Sequence, residues 1–357
     1  MKSEVLGRNA GGVIGVSAAL LLAAALAHLA TGSVRIPIAE SIRILAGATP
    51  ESEPWRRIVL EYRLPRVLTA IGAGAALATG GLLMQTLFRN PLAGPFVLGV
   101  NAGASLGVAL VVLAGSALGS RLVTGGGLLA AADLRGDAAI ATAAVLGSGA
   151  VLAIALAVGN RVANALTLLV FGVLFSYAVN AVVSVLMFFS IPEEIRSYIN
   201  WTFGSFAGVT TAQLPIFGSV VAAGLAGTVA LLKPLNALLL GESYAQSMGV
   251  HVRAVRLAII AITALLAGVT TAFCGPIGFV GVAVPHLARA VLKNADHRLL
   301  VPTSAILGSL VAVVADLAAS LPGVGLSLPL NAVTALVGAP VVIWVIVRRG
   351  DFRGTFA

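Results

Sequence analysis

The sequence predicts an all-α polytopic membrane protein with about ten transmembrane helices. Three observations carry this. Apolar residues make up 59% of the 357 positions and charged residues only 10%, against roughly 45–50% and about 25% in soluble globular chains. Mean hydropathy is +1.04. The apolar residues form continuous runs, most of them near the roughly 20 residues a spanning helix needs, and do not alternate as barrel strands would. Too few charges remain to coat a water-facing surface, which excludes a soluble enzyme, a disordered tail and a nucleic-acid binder.

Ten stretches can be marked: 11–30, 67–88, 95–118, 138–158, 166–190, 213–232, 257–274, 276–292, 301–319 and 329–347. Lys2 and Arg8 precede the first, and Ala-x-Ala patterns end it, as in a secretory signal. Its apolar run is long for a signal core and nine more runs follow, so it reads as a retained helix. In the second, Gly72, Ala76 and Gly80 are four apart, as are Gly74 and Ala78. That spacing lets neighbouring backbones approach closely. The eighth, 276–292, is short and carries His286 and Arg289, so a nine-span chain with a re-entrant segment stays open. Asp316 lies near the end of the ninth. At a helix centre it would cost about 2.5–3.5 kcal/mol on insertion scales, and less near an interface. It reads either as a helix-paired carboxylate or as part of a substrate path or proton relay. Cys274 is the single cysteine; no internal disulfide can form, and its apolar flanks read as packing. The chain is one transmembrane domain, 1–357, with a loop at 233–256.

The basic residues give the orientation. With the N-terminus inside and ten spans, both termini are cytoplasmic. Thirteen basic residues then fall on inside segments and nine on outside ones, with all three lysines inside. The excess agrees with the positive-inside rule. The net charge of +9 therefore reads as topology, since no basic run suggests nucleic acid.

What the chain lacks is also informative. None of Lys2, Lys233 and Lys293 follows a glycine, so no P-loop can cradle nucleotide phosphate. No His-Glu-x-x-His, Cys-x-x-Cys or Gly-x-Ser-x-Gly occurs. His28, His251, His286 and His297 are scattered and read as interfacial or hydrogen-bonded histidines. No metal, cofactor or catalytic residue is expected.

The segment Lys233–Arg256 is the longest inside connection. It reads as a short amphipathic helix stopped by Gly249. Glu242 sits in its first turn, where the helix dipole favours an acid. Tyr244, Ala245 and Met248 are expected to share an apolar face. Such a helix either docks a partner subunit or lies on the membrane surface.

The motifs resemble the permease subunits of type II ABC importers, the family that carries vitamin B12, haem and ferric siderophores. Arg63-Leu-Pro-Arg66, Gln85-Thr-Leu-Phe-Arg-Asn-Pro-Leu-Ala93 and Leu98-Gly-Val-Asn-Ala-Gly103 match in the first half. Leu240-Gly-Glu…Ala245…Gly249, Gly275-Pro-Ile-Gly-Phe-Val-Gly281, Val284-Pro-His-Leu-Ala-Arg289, Asp296-His-Arg298 and Leu328-Pro-Leu-Asn…Gly338-Ala-Pro340 follow in family order. The resemblance spans roughly residues 60 to 350.

It implies two inverted repeats, helices 2–5 and 7–10, consistent with the orientation above. It also implies a homodimer around a central path in a bacterial inner membrane. Two ATPase subunits would dock inside and one periplasmic binding protein outside. By position, Glu242, Ser243, Ala245 and Gly249 match the coupling helix that seats in the ATPase. Arg63 and Arg66 match arginines that pair with carboxylates of the binding protein, a task suited to the guanidinium fork; interfacial anchoring is the other reading. A third family arginine is Ser320 here. Asn90 and Leu92 match an inner gate, and Ala165 and Leu166 a second constriction. The common acid after Pro-Leu-Ala is Gly94, so that position receives no role.

The leading expectation is ATP-driven import of a ferric chelate, siderophore or haem, because Trp201-Thr-Phe-Gly-Ser205 is reminiscent of iron and haem members. A cobalamin permease is the alternative within the class. Outside it stand an ion-coupled secondary carrier, motivated by Asp316, and a non-transporting membrane scaffold.

Overall fold

The computed structural model describes residues 2–32, 34–113, 137–161, 165–320 and 328–348. Among them the regular structure is helical. The helices are α1 (Lys2–Ala30), α2 (Ile38–Leu45), α3 (Glu53–Arg57), α4 (Leu64–Phe88), α5 (Val100–Val112), α6 (Asp137–Arg161), α7 (Ala165–Phe189) and α8 (Pro192–Thr202). They continue with α9 (Leu214–Ala230), α10 (Leu232–Leu239), α11 (Glu242–Ser247), α12 (Val252–Cys274), α13 (Val280–Leu292), α14 (His297–Ala319) and α15 (Leu330–Arg348). A π-turn, Ile58–Arg63, joins α3 to α4, and a 3₁₀ turn, Pro95–Leu98, leads into α5.

The expected apolar stretches lie largely on these helices, although 95–99 forms the 3₁₀ turn and its cap, 213–232 runs into the break between α9 and α10, 276–279 precedes α13 without helical structure, and 114–118 falls outside the described residues. Among the described residues six helices are long and apolar enough to cross a membrane, and a seventh span exists if α9 and α10, bent by 55°, are counted together. Val100–Val112, Val280–Leu292 and Leu330–Ile343 are shorter apolar helices. The doubt over 276–292 has a physical basis. α13 has 13 residues, about 20 Å at 1.5 Å per residue, which is short of a 30 Å hydrocarbon layer.

Helix lengths repeat along the chain. α4, α5, α6 and α7 have 25, 13, 25 and 25 residues. α12, α13, α14 and α15 have 23, 13, 23 and 19. Packing repeats with a swap: the first helix of each set lies against the third of the other, α4 on α14 and α12 on α6. A pseudo-two-fold between two four-helix sets gives that pattern, matching the expected repeats 2–5 and 7–10.

Glycine makes the central crossings possible. A Cβ on Gly74 would collide with the Gly308 carbonyl, and one on Gly308 with that of Gly74. A Cβ on Gly81 would collide with the Gly281 carbonyl. These contacts bring α4 against α14 and α13 at backbone distance, as the small-residue spacing predicts. Gly72 does not join a backbone crossing; it receives the ring of Phe217 from α9. Burial differs within the first set: α4 is almost wholly inside, whereas α7 leaves Leu174, Tyr177, Val185, Phe188 and Phe189 exposed.

Candidate functional site

The bundle has two ends. One carries Arg63, Arg66 and Asp316; the other carries Asn90 and the α10–α11 arm. The arm follows the bend after α9. Gly241 (φ +108°) turns the chain into α11, and Gly249 (φ +81°) ends it. Both are left-handed values that favour glycine. Gly249 N–H donates to the Gln246 carbonyl at 2.9 Å, and Val250 N–H to that of Ala245 at 3.0 Å. The expected stop at Gly249 is therefore present.

Ala245 is fully buried, packed in a cluster with Leu235, Leu238, Val252, Val255 and Ile259. Tyr244 and Met248 instead face outward, 52% and 60% exposed. This corrects the expectation that Tyr244, Ala245 and Met248 share one apolar face. Neighbouring helical positions differ by about 100°, so the smallest side chain seats in the core while the i, i+4 pair Tyr244 and Met248 points away. Ser243 is exposed beside them. Glu242 accepts from Arg256 Nη2 at 2.9 Å, fixing α11 to α12. The Arg256 side chain is 8% exposed and that of Glu242 42%.

At the Asn90 end, Arg89 takes the left-handed cap of α4 (φ +46°). Asn90 Oδ1 accepts from Leu92 N–H at 2.9 Å, a local turn that leaves Leu92 outward, 45% exposed. His286 Nε2 lies 2.7 Å from the Pro91 carbonyl. Arg289 donates to Gln85 Oε1 at 2.5 Å, and Gln85 Nε2 to the Val282 carbonyl at 3.1 Å. The Asn90–Leu92 turn is thus held by α13. Ala165 and Leu166 open α7, but their side chains lie outside the described part of the structure.

Asn236 on α10 joins the arm to this end. Its Oδ1 accepts from the backbone N–H of His297 at 2.9 Å and lies 2.8 Å from His297 Nδ1. Its Nδ2 donates to Asp296 Oδ1 at 2.6 Å. His297 Nε2 reaches Thr86 Oγ1 on α4 at 2.9 Å. Asp296 also caps α14 by accepting from Arg298 N–H at 2.9 Å. Burial raises the Asp296 pKa, but that N–H, the Asn236 amide and the positive charge of Arg298 outweigh it and hold the carboxyl below its ordinary value.

At the other end the two predicted docking arginines face inward. Arg63 is buried and donates to the carbonyls of Leu29, at 2.6 Å, and Val34. Arg66 donates through Nε and Nη2 to both oxygens of Asp316, and its Nη2 also reaches Ser320 Oγ at 2.9 Å. The Arg66 side chain is 27% exposed. His28 Nε2 lies 2.7 Å from Asp316 Oδ2. Asp316 is accordingly a helix-paired carboxylate, shared by α1, α4 and α14.

Several of these residues escape sequence reading. His28 and Asp316 are 288 positions apart, and the one signal was that each is a lone polar group in an apolar run. Asn236, Thr86 and Arg256 carried no signal. Among the described residues no group of three or more His, Cys, Asp or Glu is placed to hold a metal ion.

Comparison with known proteins agrees with this architecture. The hemin transport system permease protein HmuU of Yersinia pestis is 32% identical over 326 residues, 91% of this chain and 93% of its own. The vitamin B12 import system permease protein BtuC of Vibrio cholerae is 39% identical over 300 residues, 83% of this chain and 84% of its own. A solved metal-chelate type ABC transporter in an inward-facing conformation superposes with a TM-score of 0.80 at 27% identity, covering 95% of this chain and 99% of that one. The model of the FecCD transport family matches residues 5–348, nearly the whole chain, and the chain belongs to the FecCD transport family.

Proposed function

We propose that this chain is the permease subunit of an ATP-driven importer, carrying a ferric chelate, siderophore or haem, from periplasm to cytoplasm by alternating access. The observation that carries the reading is the α10–α11 arm. It presents Ser243, Tyr244 and Met248 outward while Ala245 and the Glu242–Arg256 pair anchor it. A short, rigid stub of this kind transmits force from a partner, and the chain has no P-loop of its own. ATP hydrolysis therefore belongs to a separate ATPase, two copies of which would serve a homodimer of this chain. The exposed apolar side of α7 suits such a dimer and the surrounding lipid.

The Arg66 end faces the periplasm and a binding protein, and both termini are cytoplasmic in the inner membrane, by the excess of basic residues on the other side. With Arg63 spent on backbone carbonyls, the exposed Arg56 and Arg57 join the partly exposed Arg66 as the groups offered to a carboxylate-bearing partner. Asn90 and Leu92 form an inner gate and Ala165 and Leu166 a second constriction, since small or apolar residues near a two-fold axis can seal and reopen a path without stranding charge.

Two observations bear on the alternatives. Asp316, which motivated a secondary carrier, is committed to His28 and Arg66. Cobalamin stands as the second cargo because the relative at 39% identity is a vitamin B12 import permease.

Proteoliposomes containing this chain, its ATPase and its binding protein test the reading, with haem, a ferric siderophore and cobalamin offered in parallel. ATP-dependent accumulation of haem or the siderophore is expected. Accumulation of cobalamin alone moves the cargo. Gradient-driven uptake without an ATPase overturns the class. Replacing Glu242 and Gly249 with ATPase association and uptake intact overturns the arm's role.

A further inference from the structure

We infer that Asn236 and His297 are positioning residues that carry displacement of the α10–α11 arm to α4, and so to the Asn90–Leu92 turn, through Thr86. The inference rests on the ATP-driven reading above and names the route of transmission.

Three observations support it. First, the hydrogen bonds form a continuous chain from arm to gate helix, and its central group is dry: His297 is 0% exposed and Thr86 2%. Neutral His297 satisfies every contact with its proton on Nδ1. Nδ1–H donates to Asn236 Oδ1, already an acceptor for the backbone N–H, and Nε2 accepts from the Thr86 hydroxyl, whose one proton is shared between His297 and the Leu82 carbonyl at 2.9 Å. The Asn236 amide cannot flip, because its Nδ2 serves the Asp296 carboxylate. Each contact thus fixes the next, in a site where an unmet polar group costs more than in water.

Second, α4 and α14 are built to move together. Thr86 and His297 tie them at one end and Arg66 and Asp316 at the other, at 2.7 Å. Gly74 and Gly308 close the middle at backbone contact. A push delivered at His297 therefore displaces both helices as one body and does not bend one alone.

Third, the gate turn is attached directly to that body. α4 ends at Phe88, three residues after Gln85 and two after Thr86, and Asn90 N–H donates back to the Gln85 carbonyl at 3.3 Å. The arm also packs on α4 through the apolar cluster of Leu235 and Leu238 with Leu83, Met84 and Leu87, and its other polar attachment, Glu242 to Arg256, leads to α12; Asn236 and His297 supply the directional hydrogen bonds to α4.

The test uses the assembled transporter in proteoliposomes. Asn236→Ala and Thr86→Val each break one link; Thr86→Ser keeps the hydroxyl. A cysteine reporter, Arg89→Cys, reads the gate region directly, since Cys274 is buried. Expected for both breaking variants is retained ATPase association and ATP hydrolysis, at least a tenfold fall in cargo moved per ATP, and loss of the nucleotide-dependent change in maleimide labelling at the reporter. Thr86→Ser should behave as the unaltered protein. Unchanged uptake per ATP and unchanged labelling in Asn236→Ala or in Thr86→Val would overturn the relay; either variant suffices if the other does not fold. Loss of ATPase association in a folded Asn236→Ala would also overturn it, by assigning Asn236 to the docking surface. Failure of the unaltered chain to couple uptake to ATP would instead sink the importer reading.

Discussion

Arg66 grips Asp316 with two parallel hydrogen bonds, Nε to Oδ2 at 2.7 Å and Nη2 to Oδ1 at 2.8 Å, across 250 positions of sequence. The Asp316 side chain is 2% exposed, and His28 approaches the same carboxylate from α1. One carboxylate thus joins three helices at one end of the bundle.

Removing that carboxylate should be severe. Asp316→Ala leaves His28 without its partner and Arg66 with Ser320 as its remaining one, and breaking one side of a buried pair costs about 3–5 kcal/mol. A clear drop in thermal unfolding temperature in detergent is expected. Arg66→Met with Asp316→Asn should recover much of it, because both side chains keep their size, His28 keeps a side-chain oxygen to bond and no charge is stranded. A double variant no better than Asp316→Ala would show that the charged pair gives something neutral side chains of like size cannot.

Glycine at the helix crossings is a steric requirement. Gly81→Ala places a methyl on the Gly281 carbonyl, and overpacking of this kind costs about 1–3 kcal/mol or more. Gly15→Ala meets nothing within 4 Å and should be neutral or slightly stabilising, as alanine is the better helix former. Thermal shift of the two variants side by side separates packing from propensity. Equal stability would refute the close approach.

The Glu242–Arg256 pair should hold the arm to the bundle. Glu242→Ala is expected to raise protease cleavage between Gly241 and His251 several-fold, with little change in global unfolding. The exchanged pair, Glu242→Arg with Arg256→Glu, should restore much of the protection. High salt should weaken the unaltered pair only partly, since the Arg256 side chain is largely buried.

Acid should weaken the start of α14. The Asp296 carboxyl lies below its ordinary 3.8 in the folded chain. A carboxyl depressed by folding contributes stability above the unfolded pKa and loses it as pH falls through the folded one. Loss of stability as pH falls below the ordinary carboxylate range should therefore be steeper in the unaltered protein than in Asp296→Asn, which still accepts at the N-cap. Identical pH profiles would remove Asp296 from the acid response.

Much of the architecture is legible in the sequence because hydrophobicity is a local property. A run such as 301–319 is apolar whatever its neighbours do, and a lipid surround requires it to close its own hydrogen bonds as helix. Gly74 and Ala78 announce a close crossing, and Gly249 announces the end of α11. The α10–α11 arm is legible by its place between two apolar runs and by Gly249. What each arm residue faces is not: Ala245 enters the core and Tyr244 leaves it because the bundle behind α11 has room for a methyl.

The sequence by itself determined that the chain spans a membrane many times, that it carries no P-loop motif, and where its small-residue crossings and arm lie. Only the tertiary structure decided that Arg63 turns inward to carbonyls, that His28, Arg66 and Asp316 share one charge cluster, and that Asn236 reaches Thr86 through His297. The reason is range. Burial and helix formation follow from composition within a window of residues, whereas a buried polar group takes whichever partner the folded helices bring within about 3 Å, however far along the chain that partner lies.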